Sequence, residues 1–109
     1  MTKITEKNSC GGAGEITLER LITPEQTNGK CPLYAKVTIP AGSSCGYHTH
    51  TGDCETYYIL SGEAVYDDNG VKRIVKAGDV TFTPDGSSHG MDNTAGKEDL
   101  VFMALIIKS

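Results

Sequence analysis

The chain has 109 residues, with 14 acidic against 10 basic side chains, a net charge of −4 and a pI near 5.2; Arg20 and Arg73 are its arginines, and there is no basic run. That balance argues against a nucleic-acid partner. No stretch approaches the roughly 18 apolar residues of a membrane span, and the opening Met1-Thr-Lys-Ile-Thr-Glu-Lys-Asn8 lacks the apolar centre of an export signal, so a cytoplasmic, single-domain protein is expected.

Residues 1–14 are polar and then glycine-rich, ending in Cys10-Gly-Gly-Ala-Gly14, and read as a flexible arm ahead of one domain over 15–109. These glycines lack the spacing of a dinucleotide loop. Glu15 to Ile22 alternates and then slips by one, the pattern of a strand with a bulge. A loop over 23–29 follows. Leu33 to Ile39 alternates cleanly, with Leu33, Ala35, Val37 and Ile39 on the face expected to be core.

Beyond this point glycines recur at 42, 52, 62, 70, 78, 86 and 96, one strand and one turn apart, and no helical pattern fits between them. Pro40-Ala-Gly42 and Pro84-Asp-Gly86 suit type I turns with proline second and glycine fourth. Asn69-Gly70 is a strong hairpin signal between two alternating runs. Leu100 to Ile107 is apolar at every position, so both faces need cover: one by the core, the other by a second sheet, the arm or another subunit. The fold class is all-β, a sandwich or barrel. The four cysteines, Cys10, Cys31, Cys45 and Cys54, are expected to be free thiols in a reducing compartment, most simply as small apolar groups. Cys54 precedes Glu55 and so faces away from it.

The chemistry concentrates between Gly42 and Asn93. On an extended strand His48 and His50 point the same way, a chelating pair two residues apart. Glu55 follows a short Thr-Gly-Asp-Cys link that can reverse the chain and aim its carboxylate back at the imidazoles. His89 would come from a second segment, Gly78 to Asn93. All three histidines of the chain lie in these segments.

The spacing Gly42, His48-x-His50, Glu55, Gly62 and then Gly78, Pro84-x-Gly86, His89, Asn93 resembles the two motifs of the cupins at every fixed position. Ten such positions, each met by chance about one time in twenty, make the likeness specific. It implies a cupin double-stranded β-helix, a jelly-roll barrel, with His48, His50, Glu55 and His89 at the family's metal-ligand positions. Some cupins pair through apolar sheet faces, which implies a homodimer.

Three imidazoles and one carboxylate suit manganese, iron, nickel, copper or zinc without choosing among them. Four protein ligands leave positions open on a six-coordinate ion, the arrangement of a catalytic rather than a structural metal. By parity Tyr57 and Ile59 share a face with Glu55, Met91 shares one with His89, and Phe82 belongs to the apolar face of its strand; these four are the expected pocket wall, although plain core is the commoner role of such residues. No arginine lies inside either motif to clamp a second carboxylate, but Arg20 or Arg73 could reach in from a neighbouring strand. The leading expectation is a metal-dependent enzyme acting on a small oxygen-rich acid, by decarboxylation or as a dioxygenase, with catalytic residues unassigned. The alternative is a metal-bearing binding or sensor module without turnover.

Overall fold

The computed structural model describes residues 2–109. Ten strands are joined by turns, with two single 3₁₀ turns at Ser9–Gly11 and Pro24–Thr27: β1 Thr2–Lys7, β2 Glu15–Arg20, β3 Leu33–Ile39, β4 Ser44–Thr49, β5 Asp53–Ser61, β6 Glu63–Asp68, β7 Val71–Lys76, β8 Val80–Thr83, β9 Ser88–Asp92 and β10 Leu100–Lys108. They form two antiparallel sheets, one ordered β1-β2-β3-β10-β5-β8 and the other β4-β9-β6-β7. The expected jelly roll is present as a sandwich of these two sheets rather than a barrel closed by hydrogen bonds.

Local chemistry sets the frame. At the β6–β7 hairpin Asn69 and Gly70 both have positive φ, 51° and 98°, the signature of a type I′ turn, and this pins Asp68 opposite Val71. The two proline turns differ from expectation. Ser43 N–H donates to Pro40 O and Ser87 N–H to Pro84 O, so each proline opens its turn and each glycine is third. Gly42 and Gly86 have φ of 87° and 88°, which makes both turns type II.

The inner faces of the sheets meet in one core that includes Leu18, Val37, Tyr57, Ile59, Tyr66, Met91 and Phe102. The clean alternation of β3 is reproduced, with Ala35, Val37 and Ile39 buried. The apparent slip after Glu15 is no bulge: β2 ends at Arg20 and Leu21 is exposed. Register shifts occur instead between Val101 and Phe102 and between Cys45 and His48.

Residues 2–14 are not a free arm. β1 pairs along its whole length with β2, and the Ser9–Gly11 turn sits on β4, where Ser44 N–H donates to Ala13 O and Ala13 N–H to Ser44 Oγ. The approach is backbone to backbone, since a side chain at Gly46 would strike the Cys10 carbonyl and one at Gly12 the Ser44 carbonyl. Gly12 and Gly14 serve close packing here, and Gly11 supplies a positive φ of 79°.

Candidate metal centre

His48 comes from β4, His50 lies just past its end, Glu55 is near the start of β5 and His89 is on β9, so both sheets contribute. His50, Glu55 and His89 are buried and His48 is half-buried. One ligand atom from each lies within 4.8 Å of the other three. His89 Nε2 stands 3.0 Å from His50 Nε2, 3.1 Å from His48 Nε2 and 3.0 Å from Glu55 Oε1. His50 Nε2 is also 3.0 Å from Glu55 Oε1.

Three imidazole nitrogens and a carboxylate oxygen cannot all satisfy one another by sharing protons at these distances. They do fit a shared cation, because donors at right angles on bonds of about 2.1 Å stand about 3.0 Å apart.

The opposite nitrogen of each ring is engaged in turn. His48 Nδ1 lies 2.7 Å from the Gly46 carbonyl, and since a carbonyl only accepts, the proton is on Nδ1. His50 Nδ1–H donates to Asp53 Oδ1 at 2.7 Å. His89 Nδ1 meets the hydroxyls of Tyr66 and Thr83, each at 2.9 Å, and either oxygen can accept its proton. His48 and His50 therefore turn their Nε2 lone pairs inward, the tautomer a metal ligand needs, and the two hydroxyls behind His89 can accept the proton that gives it the same form. Burial holds the His48 pKa below its ordinary value, the Gly46 carbonyl opposing only in part, which favours the neutral, ligating form.

The expected pocket wall is only partly right. A cavity of about 400 Å³ opens beside the four residues and is lined by His48, His50, Glu55 and Tyr57. Tyr57 stacks on His89, ring centroids 5.0 Å apart, with its hydroxyl 3.5 Å from His89 Nε2. Burial, and then the Glu55 carboxylate, push its pKa well above the usual phenol value, so it keeps its proton. Ile59 and Met91 are buried in the core and do not line this cavity. Phe82 is 55% exposed, on the opposite side from that expected. Thr81 and Thr83 take the inner positions of β8, because Thr83 is needed against Tyr66 and His89.

Sequence reasoning missed Asp53, Tyr66 and Thr83, the partners that orient the rings. The available signal was proximity: Asp53 is three residues from His50, and Thr83 is six from His89.

All four cysteines are free thiols. Cys31 is buried with its thiol on Leu33 O. Cys45 lines the cavity, and burial, with Cys10 beside it, raises its pKa to about 12. Of the two arginines, Arg20 lines the cavity, whereas Arg73 lies over the Tyr66 ring near Asp68 and does not line it. A larger groove of about 630 Å³, bounded by Ala64, Ile74, Asp92 and Lys97, contains none of the four convergent residues. No helix among the described residues is long and apolar enough to cross a membrane.

Comparison with known proteins agrees with the fold. A protein of Thermotoga maritima named oxalate-binding protein is 48% identical over 100 residues, covering 92% of this chain and 82% of its own. The crystal structure of a predicted oxalate decarboxylase from Thermotoga maritima superposes with a TM-score of 0.94 at 45% identity, covering 100% of this chain and 94% of that one. The cupin domain of Schizosaccharomyces pombe Cnp3 shares the fold at 17% identity and a TM-score of 0.77, over 97% of this chain and 69% of that one. The cupin domain family model matches residues 35–106, which span His48, His50, Glu55 and His89, and the chain belongs to that family.

Proposed function

We propose that the protein binds a small chelating carboxylate through one divalent transition-metal ion held by His48, His50, Glu55 and His89. The observation that carries this reading is the set of 3.0–3.1 Å separations among the inward Nε2 atoms and the Glu55 oxygen. Manganese, iron, nickel, copper and zinc all suit such donors. When bound, the ion supplies positive charge and open positions for two oxygens of a ligand. The name of the Thermotoga maritima relative supports a carboxylate as the ligand class. Around that ligand the chain's own groups exclude water on the Phe102 side and present the neutral Tyr57 hydroxyl as a donor.

Binding is favoured over turnover because, among the described residues, no carboxylate or imidazole at the centre is left uncommitted to serve as a general base. The second reading is decarboxylation or oxygen-dependent cleavage, and the buried Tyr57 hydroxyl beside His89 favours it as a proton donor. Elemental analysis of protein purified without added metal should find about one ion per chain. Calorimetric titration should show oxalate binding to manganese-loaded protein and not to stripped protein. Full metal content in His50→Ala would sink the ligand assignment, and product detected by chromatography, with or without oxygen, would promote the enzyme reading.

The same reading includes a homodimer. On the outer face of the six-stranded sheet Phe82, Thr56, Leu105 and Tyr34 align in one cross-strand row, and Val80, Tyr58 and Met103 in the next. Phe82, Val80 and Tyr58 are exposed, and with Lys36 following in the second row they give a mostly apolar surface suited to a second copy. Light scattering at micromolar concentration should give a dimer for the wild type and a monomer for Phe82→Asp; a monomeric wild type refutes it.

A further inference from the structure

We infer that the ligand is longer than oxalate: a chelating acid with an apolar body and a second anionic end held by Arg20. This rests on the metal–carboxylate reading above and names the ligand more closely.

The cavity is too large and too apolar for oxalate alone. Its roughly 400 Å³ equals about thirteen waters of the liquid, where oxalate would displace about four. What fills the difference can be read from the strand register. Arg20 pairs with Ala35, Ala35 with Ala104 and Ala104 with Tyr57. These residues form one row across the inner face of the sheet, from Arg20 on β2 to the tyrosine beside the metal centre. Paired residues of antiparallel strands share a face.

The row on one side carries Leu18, Val37 and Phe102, and the row on the other carries Leu33 and Ile106, the latter opposite Glu55. Two alanines between rows of large side chains make a trough. The larger neighbours, with Ala104, line the cavity. Three strand spacings separate the ends, about 14 Å between backbones, and the arginine and glutamate side chains shorten the gap to the span of a medium-length acid.

Arg20 stands at the far end of this trough in an inward position. It continues the stripe of Ile16 and Leu18, both buried. The one protein hydrogen bond of its guanidinium among the described residues runs to Pro32 O at 3.3 Å, and it has no ion pair there. A guanidinium with donors left over among the described residues, at the end of an apolar channel, matches a carboxylate, which it binds in bidentate fashion. Glu6, also on the rim, pairs opposite Ile16, four residues and about 13 Å along β2 from Arg20, and accepts from Ser9 Oγ. It does not neutralise the arginine. Oxalate has neither the apolar body nor the reach to use this end.

The test is calorimetric titration of the manganese-loaded protein with oxalate, 2-oxoglutarate, 2-oxosuberate and 2-oxooctanoate. The 2-oxosuberate dianion should bind about tenfold tighter than 2-oxooctanoate, which lacks the terminal carboxylate, and tighter than 2-oxoglutarate, which is too short. In Arg20→Met the ratio of 2-oxosuberate to 2-oxooctanoate affinity should fall to about one. Equal affinities in the wild type, or an unchanged ratio in the variant, would overturn the inference. If Arg20→Met does not fold, the wild-type ratio decides alone. Oxalate binding with no preference among the longer acids removes this inference and leaves the metal–carboxylate reading standing; no metal-dependent binding of any acid removes both.

Discussion

The two ends of the cavity are built by opposite means. At the His50 end four polar side chains converge from both sheets, and each ring is fixed from behind by a hydrogen bond to Gly46, Asp53, or the pair Tyr66 and Thr83. At the Arg20 end the surface belongs mainly to one sheet, and its shape comes from where small residues fall in register. Polar geometry is bought with second partners, whereas an apolar trough needs only the right volumes in the right rows. The first should fail through loss of affinity, the second through loss of packing.

The widest separation should come from His89→Ala, which removes a donor shared with both other histidines and Glu55. Metal content should drop at least a hundredfold in affinity by competition with a chelator while circular dichroism stays β-rich; undiminished affinity would erase the distinction between the ends. The complementary change is Phe102→Ala, at a fully buried trough-wall residue that also packs on Tyr57. It should cost about 3–5 kcal/mol in denaturant unfolding yet keep its metal at stoichiometric loading.

Asp53→Asn sharpens the comparison, since it leaves all four ligands and alters only the group behind His50. A loss of metal affinity of about 10–100-fold is expected, read by chelator competition. The smallest effect is that of pH. Burial depresses the His48 pKa below its ordinary 6.5, so from pH 6.5 downward the unfolded chain takes up a proton that the folded, metal-free chain does not. Stability of the metal-free protein should therefore be full above pH 6.5 and decline as pH falls through the window below it. His48→Asn should flatten that part of the profile.

How much of this was legible in the sequence follows the same division. The convergence of His48, His50, Glu55 and His89 could be read because a chelating set would demand fixed residue types at fixed spacing, and Asn69-Gly70 because both of its residues adopt positive φ. Phe82 was assigned to the wrong face because alternation was judged by hydrophobicity, while the structure spends the inner positions of β8 on threonines, one of which bonds His89. The start of the chain was misread because glycines that admit a close backbone contact look the same as glycines that confer freedom. The trough was invisible, for Ala35 and Ala104 are 69 residues apart and acquire meaning only when β10 sets them side by side.

The position of β10 has a further consequence, for the order in which the fold can assemble. It comes tenth in the chain but lies between β3 and β5 in the middle of the larger sheet. Until it arrives, those two strands present unpaired edges and the β1–β2–β3 meander has no link to β5. His48, His50, Glu55, His89 and their orienting partners all precede it in synthesis, so a nascent chain can gather its imidazoles before it has a floor for the cavity. Closure then waits on a contact of long sequence separation, which makes folding slow and leaves the open edges of β3 and β5 as the place where aggregation would begin.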